Sequence, residues 1–279
     1  MEWLIGLGGA ALALAVLNGV LIAPGRAPAS AAALWRTHYA HRGLHSRDRT
    51  VPENSLAAFA AAADAGYGME LDIQLSADGQ VVVFHDGDLR RVCGVDRRVD
   101  ECTLDELREY ALHGTQQRIP LFSEMLSLID GRVPLIVELK NVRDRDALCE
   151  KTAAILDRYE GPYCIESFHP GIVSWFRKNR PGVVRGQLSA GMRSFRSLPW
   201  YQRPLLSLML THVSTRPHFV AYRHEDARGH LGLRFFRLLG GRLVAWTVRS
   251  EADAAYCDTR FDTMIFEFIT LSNKNERGR

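Results

Sequence analysis

Apolar segments of strand length alternate with helical segments from residue 37 to residue 268, and this alternation constrains the fold more than any other feature of the chain. Nine segments are apolar and short enough to be buried strands. They are 37–41, 68–75, 81–84, 134–140, 163–168, 183–188, 219–222, 243–248 and 263–268. Because helical patterns lie between most of them, the sequence predicts a parallel sheet with crossover helices.

Two of the nine segments are expected to form a hairpin instead of a crossover. Asp78-Gly79 is a turn sequence, and it separates the strand at 68–75 from the strand at 81–84. Eight strands then remain for the parallel sheet, which predicts a TIM (β/α)8 barrel. An open doubly wound sheet is the alternative, but no glycine-rich phosphate-binding motif follows the first strand.

Size, charge and cysteine content limit the function classes. The 279 residues, 47% of them hydrophobic, are enough for one substantial core, so one folded domain is expected. A net charge of +3, from 35 basic and 32 acidic residues, argues against nucleic acid as a partner. The five cysteines include no C-x-x-C pair and suggest neither a disulfide framework nor a zinc site. No feature of the sequence points to a protein partner.

The N-terminus has the composition of a membrane helix. Trp3 to Ala23 contains no charged residue, and roughly 20 such residues in a helix span a bilayer core. A cleaved signal peptide is the alternative, because small residues follow at 27–31, but no basic residue precedes the apolar run. We therefore predict a transmembrane anchor at 1–25, a linker at 26–36, a folded domain at 37–271 and a polar tail at 272–279.

The charges that flank the apolar segment predict its orientation. No basic residue precedes the segment, and four arginines follow it: Arg26, Arg36, Arg42 and Arg47. Basic residues are enriched on the cytoplasmic side of membrane helices. The sequence therefore predicts a single-pass protein of the cell membrane with its folded domain in the cytoplasm.

Carboxylates lie near the ends of two predicted strands, where barrel enzymes carry their active sites. Glu70 and Asp72 are two residues apart, so both side chains lie on one face of their strand. Glu138 and Lys140 share a face of another strand for the same reason. Three carboxylates form a hard oxygen ligand set that suits Ca²⁺ or Mg²⁺ better than zinc. Taken alone, a pair such as Glu70 and Asp72 is more often exposed to solvent than bound to a metal.

Two predicted strands end in histidine. The first strand ends in His41, which precedes Arg42, and the strand at 81–84 is followed by His85 and Asp86. Imidazole titrates near neutral pH and is suited to general acid–base catalysis. Either histidine could be an ordinary structural residue, but two of them at strand ends beside charged residues favour catalysis.

The chain resembles the glycerophosphodiester phosphodiesterase family in seven short motifs that occur in the family's order. They are H-R-G at 41–43, P-E-N-S at 52–55, E-L-D at 70–72, D-G and V-F-H-D at 78–79 and 83–86, T-L-D-E-L at 103–107, I-P at 119–120 and E-L-K at 138–140. The resemblance is dense from residue 38 to residue 140 and thinner afterwards. It implies a TIM barrel of the phospholipase C-like phosphodiesterase type, and with the N-terminal segment the chain is similar to membrane-anchored bacterial members.

The resemblance also implies an activity, which is hydrolysis of a glycerophosphodiester to glycerol 3-phosphate and an alcohol with a divalent metal, Ca²⁺ or Mg²⁺. The expected metal ligands are Glu70, Asp72 and Glu138; the expected phosphate-binding residues are Arg42 and Lys140; and the expected acid–base pair is His41 and His85. By similarity to the family, the substrate's own hydroxyl can attack first and give a cyclic phosphate that water opens. Which histidine acts as the base stays open.

Two further residues are weaker candidates. Glu53 is expected either to contact the substrate hydroxyl or the metal shell, or to be a first-turn carboxylate that complements a helix dipole. Trp246 lies on a late strand, where it either lines the substrate pocket or belongs to the core.

The C-terminal half departs from the family pattern. Arg249 stands where relatives tend to carry asparagine, and residues 266–269 replace a Thr-Asp-x-Pro sequence. Residues 193–217 are rich in arginine and leucine, which suits either a crossover packed on the barrel or an amphipathic patch on a membrane surface. A lipid phosphodiesterase of the lysophospholipase D or phospholipase C type is therefore an alternative to an enzyme of small soluble diesters. A non-catalytic membrane-anchored binding module is a third possibility, but a binder needs no acid–base pair.

Overall fold

The computed structural model describes residues 19–272 of the chain, and its centre is a closed parallel barrel. The nine strands are β1 Tyr39–His41, β2 Gly68–Leu75, β3 Val81–Val83, β4 Leu135–Leu139, β5 Tyr163–Ser167, β6 Val184–Ser189, β7 Phe219–Arg223, β8 Arg242–Val248 and β9 Thr263–Phe266. Eight of them form the barrel in the order β1, β2, β4, β5, β6, β7, β8, β9, which closes because β9 pairs with β1. β3 pairs antiparallel with β2 outside the ring. The predicted barrel and hairpin are both confirmed.

Helices cover the outside of the barrel. The α-helices are α1 Leu56–Asp64, α2 Arg90–Cys93, α3 Leu104–Glu109, α4 Phe122–Ile129, α5 Arg145–Leu156, α6 Pro170–Asn179, α7 Arg203–Ser207, α8 His212–Thr215, α9 Leu231–Leu238 and α10 Glu251–Asp258. Short 3₁₀ helices occur at Ala29–Trp35, Val99–Glu101, Leu112–Gly114, Met192–Phe195 and His224–Asp226. Local sequence explains several of the boundaries. Ser55 caps α1, and Thr103 and Glu106 form a reciprocal capping box at the start of α3.

The 3₁₀ helix at Ala29–Trp35 closes the barrel at the amino ends of the strands. Leu34 is fully buried, and its carbonyl accepts a hydrogen bond of 2.7 Å from the Tyr39 hydroxyl. The ring of Trp35 packs edge-on against Phe219 of β7 at 5.5 Å. The segment 26–36, predicted as a linker, thus contains a helix that is part of the core.

The excursion between β3 and β4 builds a small second core beside the barrel. Phe84, Leu89, Val92, Leu107 and Ile119 are buried together there. This packing fixes the chain immediately after β3, where His85 lies, so the excursion positions one of the two predicted catalytic histidines.

The start of the described chain packs on the outer wall of the barrel. Ile22 is fully buried, and its carbonyl lies 3.2 Å from Nδ1 of His212. Arg216 donates a hydrogen bond of 2.7 Å to the carbonyl of Val20. No helix within residues 19–272 has the length and hydropathy needed to cross a bilayer. Most of the predicted transmembrane segment, and residues 273–279 of the predicted polar tail, lie outside the described residues.

Candidate active site

Strand register brings the predicted site residues to the carboxyl ends of β1, β2 and β4. His41 on β1 is paired in register with Glu70 on β2, and Asp72 is paired with Glu138 on β4. Register partners in a parallel sheet point to the same side, and Glu70 and Asp72 share that side because they are two residues apart. All four side chains are therefore directed into the mouth of the barrel, and His85 reaches the same cavity from the end of β3.

The turn after β1 is close to the first helix. Arg42 and Gly43 both have positive φ values, of 57° and 80°. A Cβ atom on Gly43 would lie 2.8 Å from the backbone of Ala58, so the turn has room only for glycine. This turn directs the backbone N–H of Arg42 at Glu70 Oε2, to which it donates a hydrogen bond of 3.1 Å.

Three buried carboxylates form the centre of the site. Oxygen atoms of Glu70, Asp72 and Glu138 lie within 4.8 Å of one another, and the three residues are 2%, 0% and 8% exposed. Asn54 donates a hydrogen bond of 2.9 Å to Asp72 Oδ2, and Lys140 Nζ lies 3.2 Å from Asp72 Oδ1 and 2.8 Å from Glu138 Oε1. These contacts fix the carboxylates in place before any ligand arrives.

The three carboxylates titrate differently. Burial raises the pKa of Glu70 well above its ordinary value, and the nearby charges of Asp72 and Glu138 raise it further. Burial also opposes ionisation of Asp72, but the positive charges of Lys140, His85 and Arg42 outweigh it and lower the pKa of Asp72 well below its ordinary value. Burial raises the pKa of Glu138, although Lys140 acts in the opposite direction. Glu70 therefore holds its proton most readily of the three.

A divalent cation fits this donor set. The three clustered carboxylates offer hard oxygen ligands, which Ca²⁺ and Mg²⁺ prefer. A fourth carboxylate, Glu166, is paired in register with Glu138 and is 1% exposed. Against the three clustered carboxylates stand two cationic side chains that contact them within residues 19–272, Arg42 and Lys140. The ionised cluster therefore has an excess of negative charge that a divalent cation would balance.

His41 is oriented by a carboxylate from the last strand. Its Nδ1 lies 2.5 Å from Glu267 Oε1, and its Nε2 lies 3.8 Å from Glu70 Oε2. Burial and the charge of Arg42 lower the pKa of His41 to about 4, although the hydrogen bond to Glu267 acts in the opposite direction. Since a carboxylate can only accept, the neutral ring carries its proton on Nδ1. Its Nε2 lone pair is then free to accept a proton at the site.

Glu267 is itself held by several cationic or hydrogen-bonding groups. Arg249 Nε donates a hydrogen bond of 2.6 Å to Glu267 Oε2, and His45 Nε2 lies 3.6 Å from Oε1. Burial alone would raise the pKa of Glu267, but the hydrogen bond from His41 and the charge of Arg249 hold that pKa well below its ordinary value. Arg249 and Glu267 are both positions that depart from the family pattern. They form an ion pair with each other, and Glu267 contacts Nδ1 of His41.

His85 is oriented by a second ion-pair network. Its Nδ1 lies 2.6 Å from Asp86 Oδ1, and Arg91 Nε donates to the other oxygen of Asp86 at 2.6 Å. Arg91 also donates two hydrogen bonds of 2.7 Å to Glu53, and Glu53 accepts another of 2.6 Å from Arg42. Burial would raise the pKa of Glu53, but these arginines lower it to about 2. Glu53 thus connects Arg42 to the His85 network and is not among the three clustered carboxylates.

Apolar and cationic residues line the rest of the cavity. Trp246 is half-buried on β8, with its ring 5.6 Å from Phe168, and both residues border the cavity that contains His41 and Glu138. Arg223 at the end of β7 lines the same cavity of about 450 Å³. Burial, with the charges of Glu138 and Asp72, raises the pKa of Glu166 well above its ordinary value. Burial therefore favours the protonated form of Glu166.

Sequence reasoning missed four residues of the site: Glu267, Glu166, Asn54 and Arg223. Glu267 follows the last apolar strand directly, as His41 ends the first, so the same rule of charge at a strand end could have found it. Glu166 and Arg223 also lie at the ends of predicted strands. Asn54 lies in a loop and meets Asp72 only through the fold, so its signal was its place in the P-E-N-S motif at 52–55.

A scan against protein families matches residues 41–270 to the glycerophosphoryl diester phosphodiesterase family. The chain is 36% identical to a glycerophosphodiester phosphodiesterase of Caldanaerobacter subterraneus over 77% of this chain and 86% of the relative. It is 34% identical to a Bacillus altitudinis glycerophosphodiester phosphodiesterase over 52% of this chain and 63% of that relative. It is also 31% identical to rat lysophospholipase D GDPD1, over 44% of this chain and 41% of the rat protein.

Solved structures share the fold. A phosphodiesterase of Oleispira antarctica, solved in complex with the product sn-glycerol-3-phosphate, superposes with a TM-score of 0.68 and 23% identity. The superposition covers 82% of this chain and 91% of the Oleispira chain. A putative glycerophosphoryl diester phosphodiesterase of Silicibacter pomeroyi superposes with a TM-score of 0.72 and 24% identity, over 85% of this chain and 93% of that chain.

Proposed function

The chain belongs to the glycerophosphoryl diester phosphodiesterase family, and from this membership we propose that it hydrolyses glycerophosphodiesters to sn-glycerol 3-phosphate and an alcohol. The observation that carries the proposal is the cavity lined by His41, His85, Glu70 and Glu138, with the buried Asp72 clustered against the two glutamates. A phosphodiester is an anion, and Arg42 and Lys140 offer positive charge beside those carboxylates. The resemblance in the sequence is confirmed as family membership.

The cationic side chains have a defined part in the proposed reaction. Arg42 and Lys140 bind the phosphoryl oxygens and stabilise the negative charge that develops on them. When bound by Glu70, Asp72 and Glu138, a divalent cation would supply further charge stabilisation at the phosphoryl group. Ca²⁺ and Mg²⁺ are both compatible with three carboxylate ligands.

The two histidines divide the proton transfers. Nε2 of neutral His41 accepts a proton from the attacking hydroxyl, and Glu267 holds the ring in the tautomer that leaves Nε2 free. His85, linked to Asp86 and Arg91, gives a proton to the leaving alkoxide. Trp246 borders the cavity and is positioned to contact the glycerol or the alcohol of the substrate.

Turnover of glycerophosphocholine by the full-length chain tests this proposal. We expect release of glycerol 3-phosphate, measured by an enzyme-coupled assay, and loss of that release after chelation with recovery on addition of Ca²⁺ or Mg²⁺. Release that continues unchanged in excess chelator would contradict the proposed metal dependence. Binding of glycerophosphocholine without any product would favour the non-catalytic binding module.

An apolar cavity next to the site favours a second candidate substrate, a lysophospholipid. The cavity has a volume of about 750 Å³ and shares Phe168 and Ser194 with the active-site cavity. Its apolar lining includes Phe195, Leu198, Leu205 and Leu206. An acyl chain would fit such a lining, whereas a small soluble alcohol would leave it empty. Rat lysophospholipase D, to which part of the chain is similar, carries the corresponding activity in its name.

Substitution of Leu205 by lysine separates the two substrates. Leu205 lines the cavity and is 42% exposed, so a charge there is tolerated by the fold but opposes an acyl chain. We expect turnover of lysophosphatidylcholine to fall about tenfold or more, the equivalent of losing one buried leucine contact, while turnover of glycerophosphocholine changes less than about twofold. Leu128→Lys, at a 37% exposed position on the opposite wall, is the matched control. Equal effects of the two variants on both substrates would exclude an acyl-chain site here.

Membrane anchoring by the N-terminal segment is part of the same proposal. The apolar composition of residues 3–23 supports an anchor, and the arginines after it support a cytoplasmic barrel. Arg42 contacts Glu53 and Asp72 in the folded domain, and Arg47 stacks on the ring of Phe268. The orientation signal therefore depends on Arg26 and Arg36.

A further inference from the structure

One wall of the barrel exposes large apolar side chains next to each other. They come from the segment between β6 and β7 and from α9: Trp200, Tyr201, Leu205, Leu208, Val213, Leu231, Phe235, Leu238 and Leu239. Trp200 and Leu238 are about four-fifths exposed, at 79% and 80%. Exposed apolar patches of this kind usually mark an interaction surface. We call this surface the basic apolar face.

Contacts beneath the surface join its parts into one face. His230 at the start of α9 lies 3.0 Å from the carbonyl of Ser207 in α7, and the ring of His212 in α8 packs edge-on against Phe236 of α9 at 5.3 Å. The buried residues of α7, α8 and α9 thus pack on one another, and the exposed apolar residues of the same helices lie on the outer surface. The face extends from the active-site rim, where Tyr201 and Leu205 line the apolar cavity, down the wall of the barrel.

The charges on this wall are mostly positive. Between Ser167 and Ser250 the only acidic residues are Glu225 and Asp226, whereas arginines recur throughout the segment. Arg193, Arg196 and Arg234 are exposed and form no ion pair with any residue in the range 19–272. Apolar side chains interspersed with unpaired arginines match a surface that is anionic outside and apolar beneath, as an anionic bilayer is.

Residues 20–23 pack against this same wall. Val20 is 55% exposed, and the carbonyls of Val20 and Ala23 accept hydrogen bonds from Arg216, the residue after α8. Ile22 is buried against His212. Residues 20–23, which follow the uncharged sequence at 3–18, therefore contact the barrel beside the basic apolar face.

From these observations we propose that the basic apolar face lies on an anionic lipid bilayer, with Trp200 and Tyr201 at the level of the lipid headgroups. Aromatic residues with one apolar and one polar end are enriched at that level. The proposal concerns where the barrel binds and does not depend on which diester it cleaves. It does place the mouth of the apolar cavity at the membrane surface.

Depth-dependent fluorescence quenching tests the proposal on the full-length chain. Cys93, which is partly exposed, is replaced by serine so that it cannot be labelled; the other four cysteines are buried. In this background a single cysteine replaces Leu208 or Leu238 and is labelled with an environment-sensitive fluorophore. The protein is added to vesicles of phosphatidylcholine with or without phosphatidylglycerol, and a lipid spin-labelled near the headgroup is the quencher. Leu128→Cys, an exposed leucine on α4 across the barrel, is the matched control.

We expect quenching of about half the fluorescence at positions 208 and 238 in vesicles that contain phosphatidylglycerol, as for groups about 5–10 Å inside the interface. Position 128 should stay unquenched. Arg196→Glu or Arg234→Glu should weaken binding to these vesicles roughly fivefold, as measured from the quenching at position 208. This is about what one basic residue contributes to binding at an anionic surface. Circular dichroism of each labelled variant should match that of the unlabelled chain.

Two outcomes would overturn the proposal. Equal quenching at 128 and 208, or none at 208, would mean that the basic apolar face does not meet lipid. The fluorophore at position 208 could instead be shielded from water even without lipid, and single particles could photobleach in two steps. That result would assign the face to a second copy of the chain.

Discussion

Replacing Glu70 with glutamine will lower the turnover of glycerophosphocholine by about a thousandfold, the rate equivalent of losing several kcal/mol of charge stabilisation at the phosphoryl group. We expect Ca²⁺ or Mg²⁺ to raise the melting temperature of the intact chain, because a ligand that binds only the folded state stabilises it, and we expect the variant to lose that rise. Glu70 contributes one of three clustered oxygens, and glutamine keeps its shape but not its charge. Melting curves with and without metal, and initial rates, are the measurements.

The stability of the metal-free variant distinguishes lost binding from misfolding. Burial and the charges of Asp72 and Glu138 oppose ionisation of Glu70 and raise its pKa, and a neutral glutamine avoids that cost. The variant without metal should therefore be at least as stable as the intact chain without metal.

Glu166→Gln is the matched control for this experiment. Glu166 is a carboxylate at the end of the next strand, equally buried but outside the three-residue cluster. Glutamine keeps the shape of this side chain, which contributes no oxygen to the cluster, so a loss below tenfold and an intact metal response are expected. A full metal response in Glu70→Gln would contradict the assignment of Glu70 as a ligand.

Replacing His41 with glutamine will lower turnover by about 10²–10⁴-fold, the usual share of a general acid or base. His41 is neutral near pH 7 and presents Nε2 to the site, so it can accept a proton there. Glutamine retains polarity but cannot exchange a proton in this range. Initial rates at saturating glycerophosphocholine measure the effect, and binding of the substrate should change much less than turnover.

Glu267→Gln tests whether the carboxylate acts through His41. Glutamine can still contact Nδ1 but no longer selects one tautomer, so a smaller loss than that of His41→Gln is expected. In the double variant the two losses should not add, because a carboxylate that only orients a ring has no effect once the ring is gone. Additive losses would assign Glu267 a separate role.

His45→Gln is the control for both variants. His45 lies 3.6 Å from the same carboxylate oxygen, but it forms no contact with Glu70. A loss of less than about tenfold is expected, since only the environment of Glu267 changes. A loss as large as that of His41→Gln would shift the proton transfer to His45.

The sequence predicted the features that depend on short-range periodicity. A period of two placed Glu70 and Asp72 on one face, and the position of charges after apolar runs located His41, His85 and Glu138. Order along the chain and crossover helices were enough to predict a closed parallel barrel. These inferences need only the residues within one or two elements.

Features that depend on closure of the barrel were harder to predict. His41 and Glu267 are 226 residues apart and meet only because β9 pairs with β1. The network from Arg42 through Glu53 and Arg91 to Asp86 needs both the first loop and the excursion after β3 in place. Neither contact can be predicted from the spacing of residues along the chain.

The 3₁₀ helix at Ala29–Trp35 determines where a shortened recombinant protein can begin. A fragment starting at residue 37 would lack Leu34 and Trp35, leaving Tyr39 and Phe219 open to water at the base of the barrel. Apolar surface uncovered there would weaken folding and invite aggregation. A fragment for kinetics or crystallisation should therefore begin before Ala29.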